Sequence, residues 1–387
     1  MDGHRLLNWI ELVFGVVIIV AVLLDVFLTV LYARIVTGVL SHYLACWVWR
    51  VFRGLAKLIP TQAERMFSFA GPVILVALVL TWITGLVLGA GLVLHPMLGK
   101  TITATGGPTP TDFFTAMYMA GDSMSTVGTS DLAPRTPFTR MFFMTMSFLG
   151  LSIVTLTLTY FLQIYNALQR RNTFALKLHL ATGETGDATD LIAGLGARGR
   201  FENGYSQLSE MQAEMASFKE SHHFYSVLLY FRFKEPYYAV SRLTLINLDT
   251  VSLIKSALSD DHYGWLKESA PVNQLWRGSM HLMTFLTDSF LPRGIPEADE
   301  PDEQVKECWR RRYRAAVRRL RQAEIHTIED ASIGEETYVN LRTRWDRFIR
   351  AMSQHMAYRM DVIDPASANP AEVEERQEFH TRLRSAG

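Results

Sequence analysis

The sequence predicts an all-α fold in two parts, a membrane-embedded helical part followed by a soluble helical domain. Three observations predict it. Residues 12–32, 67–94 and 141–169 are apolar runs long enough to cross about 30 Å of hydrocarbon at a rise of about 1.5 Å per residue, and the second and third contain no Asp, Glu, Lys or Arg. Charge is unevenly spread: residues 1–165 hold 9 of the 38 Lys and Arg residues and 7 of the 38 Asp and Glu residues. Beyond residue 171 apolar positions recur at helical spacing, with no strand-like alternation. A hydrophobic content of 49% and a mean hydropathy of +0.10 suit such a combination. Net charge is zero, which gives no reason to expect nucleic acid as a partner.

The first part, residues 1–36, is expected to be an amino-terminal transmembrane helix. Its apolar core is longer than that of a cleaved signal peptide, and no A-x-A site follows it. Asp25 lies inside this run, and an ionisable group at membrane depth costs roughly 2.5 kcal/mol or more unless it has a purpose. Two readings stay open for it: an acid that fixes helix contacts, or one that couples to the site described below. Arg34, Arg50, Arg53, Lys57 and Arg65 then place the following loop in the cytoplasm and the amino terminus outside. Within residues 37–66, Leu40, Tyr43, Leu44, Trp47, Val48, Val51, Phe52 and Leu55 recur at three- and four-residue spacing, which predicts an interfacial amphipathic helix.

Residues 67–94 form the next span, running outward. The loop to residue 108 is rich in Gly, Thr and Pro, and Thr109, Pro110 and Asp112 predict a helix start there. That helix, residues 110–124, is too short to cross. It leads into Thr126-Val127-Gly128-Thr129-Ser130-Asp131 and then to a third span, residues 138–169, ended by Arg170 and Arg171. A segment that enters a membrane without crossing it must line a water-filled path, and backbone carbonyls replacing a cation's hydration shell make one such path.

Here T-V-G-T-S-D resembles the T-V-G-Y-G-D signature of potassium channels and their pore-loop relatives. Thr126, Val127, Gly128 and Asp131 match it residue by residue, whereas Thr129 replaces an aromatic and Ser130 replaces the second glycine. The resemblance covers residues 37–170 and implies a pore domain over residues 67–170. In it residues 67–94 are the outer helix, 110–124 the pore helix, 125–131 the filter and 138–169 the inner helix. It implies Thr126, Val127, Gly128, Thr129 and Ser130 as ion ligands, and Asp122 and Asp131 as carboxyls that support the filter. Gly150, mid-way along the inner helix, is a gating hinge or a point of close helix packing.

Residues 171–387 are expected to form a cytoplasmic helical domain, with its clearest helices at 237–258, 272–291, 302–325 and 338–360. On the third, Arg310, Arg311, Arg314, Arg318 and Arg321 crowd the faces beside an apolar stripe. Nearby acids favour a solvated, salt-bridged face over a phosphate or lipid site. Gly194 to Gly199 spell G-x-G-x-x-G, but no strand precedes them, so a dinucleotide site is not expected. Adjacent His222 and His223 diverge on a helix and predict no metal site. Cys46 and Cys308 are read as structural thiols outside any disulfide. No enzymatic motif and no cofactor site emerge.

The expected protein is therefore a multi-pass cell-membrane channel that assembles as a homotetramer and passes potassium and other monovalent cations, sodium included. Its altered outer filter predicts weak discrimination between the two. The rival is a membrane-anchored signalling or scaffold protein whose pore loop no longer conducts.

Overall fold

The structure is a computed structural model that describes residues 3–32, 38–125, 127–128, 131–292, 294–297 and 300–367. The described residues are overwhelmingly helical, as the sequence predicts. They fall into two units, one of residues 1–60, 69–166 and 223–231, the other of residues 61–68, 167–222 and 232–387. The sequence places its boundary after residue 170, and the contact division falls after residue 166. What periodicity does not reveal is that two short segments group with the unit on the far side of it.

The first unit opens with α1 (Gly3–Val26), which passes into one π-helical turn, Phe27–Leu31. α2 (Val39–Leu58) follows, then α3 (Ala63–Ser68), which groups with the second unit, and α4 (Ala70–Leu94). α1 runs along α4, and the two backbones nearly touch. A Cβ at Gly15 would stand 2.6 Å from the Gly89 carbonyl oxygen, and one at Gly89 would stand 2.9 Å from that of Gly15. In lipid, apolar side chains gain nothing by leaving one apolar medium for another, so contact between small residues is what holds such helices together. β1 (Ile102–Ala104), α5 (Phe113–Ser125), β2 (Leu132–Pro134) and α6 (Pro137–Ala181) complete the unit, up to residue 166 of α6. Among the described residues, three helical stretches are long and apolar enough to cross a membrane: Leu6–Leu31, Ala70–Met97 and Pro137–Ala181.

α6 continues past the expected end at residue 169. Arg170 and Arg171 mark where apolar character stops, but neither breaks a helix. The break comes at Gly183, whose φ of 60° is the left-handed conformation that suits a glycine after a helix end. There the Glu184 N–H returns to the His179 carbonyl at 2.8 Å.

The second unit contains α7 (Ala188–Leu195), α8 (Glu202–Phe224, to residue 222), α9 (Val240–Ala257), α10 (Asp260–Lys267) and α11 (Ala270–Phe290). α12 (Glu303–Gln322), α13 (Ala331–His355) and α14 (Met360–Ile363) follow. α9 is the centre, with α7, α11, α12 and α13 packed around it, and 17 of its 18 residues are buried. Its hydroxyls survive burial because Thr244, Thr250, Ser252 and Ser256 each donate to the carbonyl four residues back, at 2.7 to 2.8 Å. α13 starts seven residues before the expected 338, where the Asp330 carboxylate caps it by accepting from the Ser332 N–H at 2.9 Å.

Buried charge ties this unit together. Arg312 donates to Asp249 at 2.5 Å and to Asp187 at 2.9 Å. Tyr338 donates to the other Asp249 oxygen at 2.6 Å. Arg342, fully buried, donates to Tyr338, Asp346 and Asp364 and lies 5.4 and 5.0 Å from the rings of Trp309 and Trp345. Arg319 reaches Asp187 and Asp190 as well, whereas two other arginines of α12 lie in the salt-bridged face that the sequence favoured. Arg310 bonds Glu303 and Glu336, and Arg314 bonds Glu307 and Glu335, all in a solvated network.

Candidate functional site

The short re-entrant helix is α5, with 13 residues. It begins at Phe113 rather than Pro110, because the cap is Asp112 and not Thr109. The Asp112 carboxylate accepts from the Thr115 N–H at 3.0 Å and the Thr115 hydroxyl at 2.6 Å, contacts that also hold its pKa below the usual carboxylate range. Thr109 serves the preceding loop instead, its hydroxyl accepting from the Ala104 N–H at 2.9 Å. α5 buries Ala116, Met119 and Ala120 and packs against α4. At its start Phe113 meets His95 edge-on at 5.7 Å, and His95 Nδ1 lies 2.8 Å from Glu11 of α1.

The other end of α5 leads into the loop. Val127 and Gly128 are exposed, and Gly128 has φ of 69°, a backbone only glycine adopts without cost. Thr126, Thr129 and Ser130 lie outside the described residues. Asp122 is half-buried in the final turn of α5, while Asp131 is exposed. Gly150 marks the place where α6 touches this helix end: a Cβ there would fall on the Met124 carbonyl. α6 stays helical through Gly150, so close packing has a direct observation behind it and the hinge has none.

A feature that pattern reading missed holds both ends of the re-entrant segment, before α5 and after the loop. β1 and β2 pair antiparallel, with Ile102 opposite Pro134 and Ala104 opposite Leu132. The ladder extends at either side, where the Thr105 N–H and hydroxyl donate to the Asp131 carbonyl at 2.8 and 3.0 Å and the Arg135 N–H donates to Thr101 at 2.9 Å. Strand entry and exit are thus clamped together. The signal was the run of β-branched residues Thr101-Ile102-Thr103, too short to register against the helical pattern around it.

Asp25 is fully engaged. Its carboxylate accepts from the Leu40 and Ser41 N–H groups at 3.0 and 3.4 Å, the Ser41 hydroxyl at 2.5 Å and the Trp82 indole at 2.9 Å. It therefore caps the amino terminus of α2, where free N–H groups and the positive helix end favour an anion, and ties that terminus to α4. The helix-fixing reading of this acid is the one with contacts behind it.

Gly194 to Gly199 close α7 and a short 3₁₀ turn, with no strand before them. His222 is buried with Nδ1 against the Phe218 carbonyl at 3.1 Å, and among the described residues no cluster of three metal-ligating side chains occurs. Cys46 and Cys308 are both free.

Comparison with known proteins agrees with the arrangement around α5. Residues 73–167 match the ion-channel family. The chain is 24% identical over 178 residues to the uncharacterized membrane protein YdjJ of Bacillus subtilis (strain 168), a stretch covering 46% of this chain and 50% of that protein. The chain thus spans about half the length of the curated relative it matches. No solved structure matches it. Residues 73–167, in which two membrane-length helices enclose a helix too short to cross and a clamped loop, thus match the two-span pore-loop ion-channel family.

Proposed function

We propose that this protein is a cation channel in which four copies arrange their pore loops around one axis, passing potassium and sodium with little discrimination. The observation that carries the reading is α5, a non-crossing helix running into left-handed Gly128 between two membrane-length helices. Its carboxyl end, bearing roughly half a negative charge, favours a dehydrating cation. Thr126, Val127 and Gly128 supply the inner sites. Thr129 and Ser130 supply a wider outer mouth, because Ser130 lacks the freedom of a glycine and Thr129 lacks the bracing of a ring, leaving the β1–β2 clamp to hold the outer strand. Asp122 and Asp131 flank this filter from behind and outside, in a cell membrane with the amino terminus outside and residues 171–387 in the cytoplasm. The second unit serves assembly or gating.

Further support comes from α6. Phe138, Met141, Met144, Phe148, Leu151, Val154, Leu158, Leu162 and Tyr165 form an uncovered apolar stripe at three- and four-residue spacing, a surface for lipid and for neighbouring copies. Reversal potentials of the purified protein in planar bilayers test the reading. Near-equal permeability to sodium and potassium, shifted toward potassium by Thr129→Tyr combined with Ser130→Gly, is the expected result. A reversal close to the potassium equilibrium potential would sink the selectivity claim, and no cation flux at all would sink the channel.

A further inference from the structure

His42 and Cys46 sit one turn apart on α2, a spacing that places them on the same face. Cys46 Sγ is 3.6 Å from His42 Nε2 and 3.5 Å from the Tyr230 hydroxyl. Trp49, on the next turn, holds the Tyr230 ring at a centroid distance of 5.8 Å. Arg50 adds a positive charge from the same helix. The sulfur thus contacts an imidazole and a hydroxyl, with a positive charge on the same helix, a setting that favours thiolate over thiol. The contact with His42 pulls the Cys46 thiol below its usual range, helped by Tyr230 and Arg50 and opposed by burial. The same contact pushes His42 up, against burial. Burial pushes the Tyr230 hydroxyl up, so it remains a donor. Cys46 is only half-buried, and its neighbours Tyr43 and Trp47 are exposed.

We propose that Cys46, with His42 and Tyr230, is a reactive-thiolate site whose co-reactant is a small neutral hydroperoxide. Such a molecule enters an interfacial layer that excludes charged oxidants. The thiolate attacks one peroxide oxygen, an S–O bond forms and the O–O bond breaks. The sulfur loses two electrons to become a sulfenic acid, and the peroxide is reduced. With hydrogen peroxide the leaving hydroxide takes the proton of the His42 imidazolium and departs as water, leaving a neutral ring. Tyr230 steadies the sulfur without giving up its proton. The added oxygen must displace the Tyr230 hydroxyl or the His42 ring from the sulfur, so oxidation is transmitted to the packing of α2 against residues 226–230.

The test uses the full chain in lipid and its second cysteine as reference. Cys308 is also half-buried, and its sulfur donates to the Ser367 carbonyl at 3.4 Å. Alkylation by iodoacetamide, followed at both cysteines by peptide mass spectrometry from pH 5 to 9, should show Cys46 reacting about tenfold faster than Cys308 at pH 7, the difference fading toward pH 9 as an ordinary thiol ionises. His42→Ala should remove most of that advantage, and Tyr230→Phe, which keeps the ring on Trp49, a smaller part. After hydrogen peroxide, dimedone should label Cys46 ahead of Cys308. Equal alkylation rates with parallel pH profiles would overturn the proposal, as would the absence of a dimedone adduct at Cys46. Should His42→Ala fail to fold, the wild-type profile and Tyr230→Phe decide alone.

Discussion

Gly150 and Gly54 separate two effects of the same substitution. Both lie in helices, but a Cβ at Gly150 would fall on the Met124 carbonyl, while one at Gly54 meets nothing within 4 Å. Gly150→Ala should therefore overpack the junction of α5 and α6, costing about 1 to 3 kcal/mol and lowering conductance because the end of the pore helix must shift. Gly54→Ala should gain up to about 1 kcal/mol from helix propensity. Thermal unfolding and single-channel recording of the two variants check the contrast. His222 makes a second prediction. Burial, with the nearby charge of Arg171, pulls its pKa down to about 3, below the unfolded value near 6.5. Its folded-state pKa is depressed, so its contribution is complete above about pH 6.5 and is lost as pH falls toward 3. Stability should fall by on the order of 1 kcal/mol per pH unit across that window. In His222→Phe this component of the slope should be missing from urea titrations at successive pH values.

Among the elements, α9 and α12 depend on each other through charge. Burial pushes the Asp187 carboxyl up, but the Arg312 guanidinium outweighs it and holds the pKa at about 2. Asp249 and Tyr338 complete the enclosure. Removing one partner strands the others in a dry interior, which is worse than never having placed them there. Asp249→Asn should cost about 3 to 5 kcal/mol, whereas Glu335→Gln, which weakens the solvated network with Arg310 and Arg314, should cost less than about 1 kcal/mol. Thermal unfolding of the full chain compares them, and equal losses would show that the buried network is no more than surface electrostatics. In the first unit Asp25 plays the corresponding part for α2, with one carboxylate capping that helix and holding the Trp82 indole of α4.

For the whole molecule the central expectation is fourfold assembly. The sequence carries one T-V-G-T-S-D motif, and a ring of carbonyls around a cation takes loops related by a symmetry axis. Native mass in detergent and cross-linking in lipid should both report four copies, and two copies by both methods would contradict the pore. Apolar-to-polar changes on the exposed stripe of α6, such as Leu151→Gln or Val154→Asn, should lower the oligomer fraction if the stripe is covered by neighbouring copies, and change it little if lipid covers it.

What the chain alone determined follows from features with long, repetitive signatures. Uncharged runs over 67–94 and 141–169 specify spans because hydrocarbon rejects charge, and the T-V-G run between them specifies the pore-loop family because few sequences place that motif behind a helix too short to cross. The pairing of 101–105 with 131–135 was left to the tertiary structure, since strands of three residues carry almost no periodic signal. So was the cap of α5, where Asp112 and Thr109 are both competent and only the neighbouring backbone chooses between them. Nothing in the sequence sets Arg312 or Arg342 apart from the arginines around them, and only packing around α9 places them inside. Asp25 was legible as an anomaly, but its partners lie 15 to 57 residues away, and contacts so distant in sequence exist only once the helices have met.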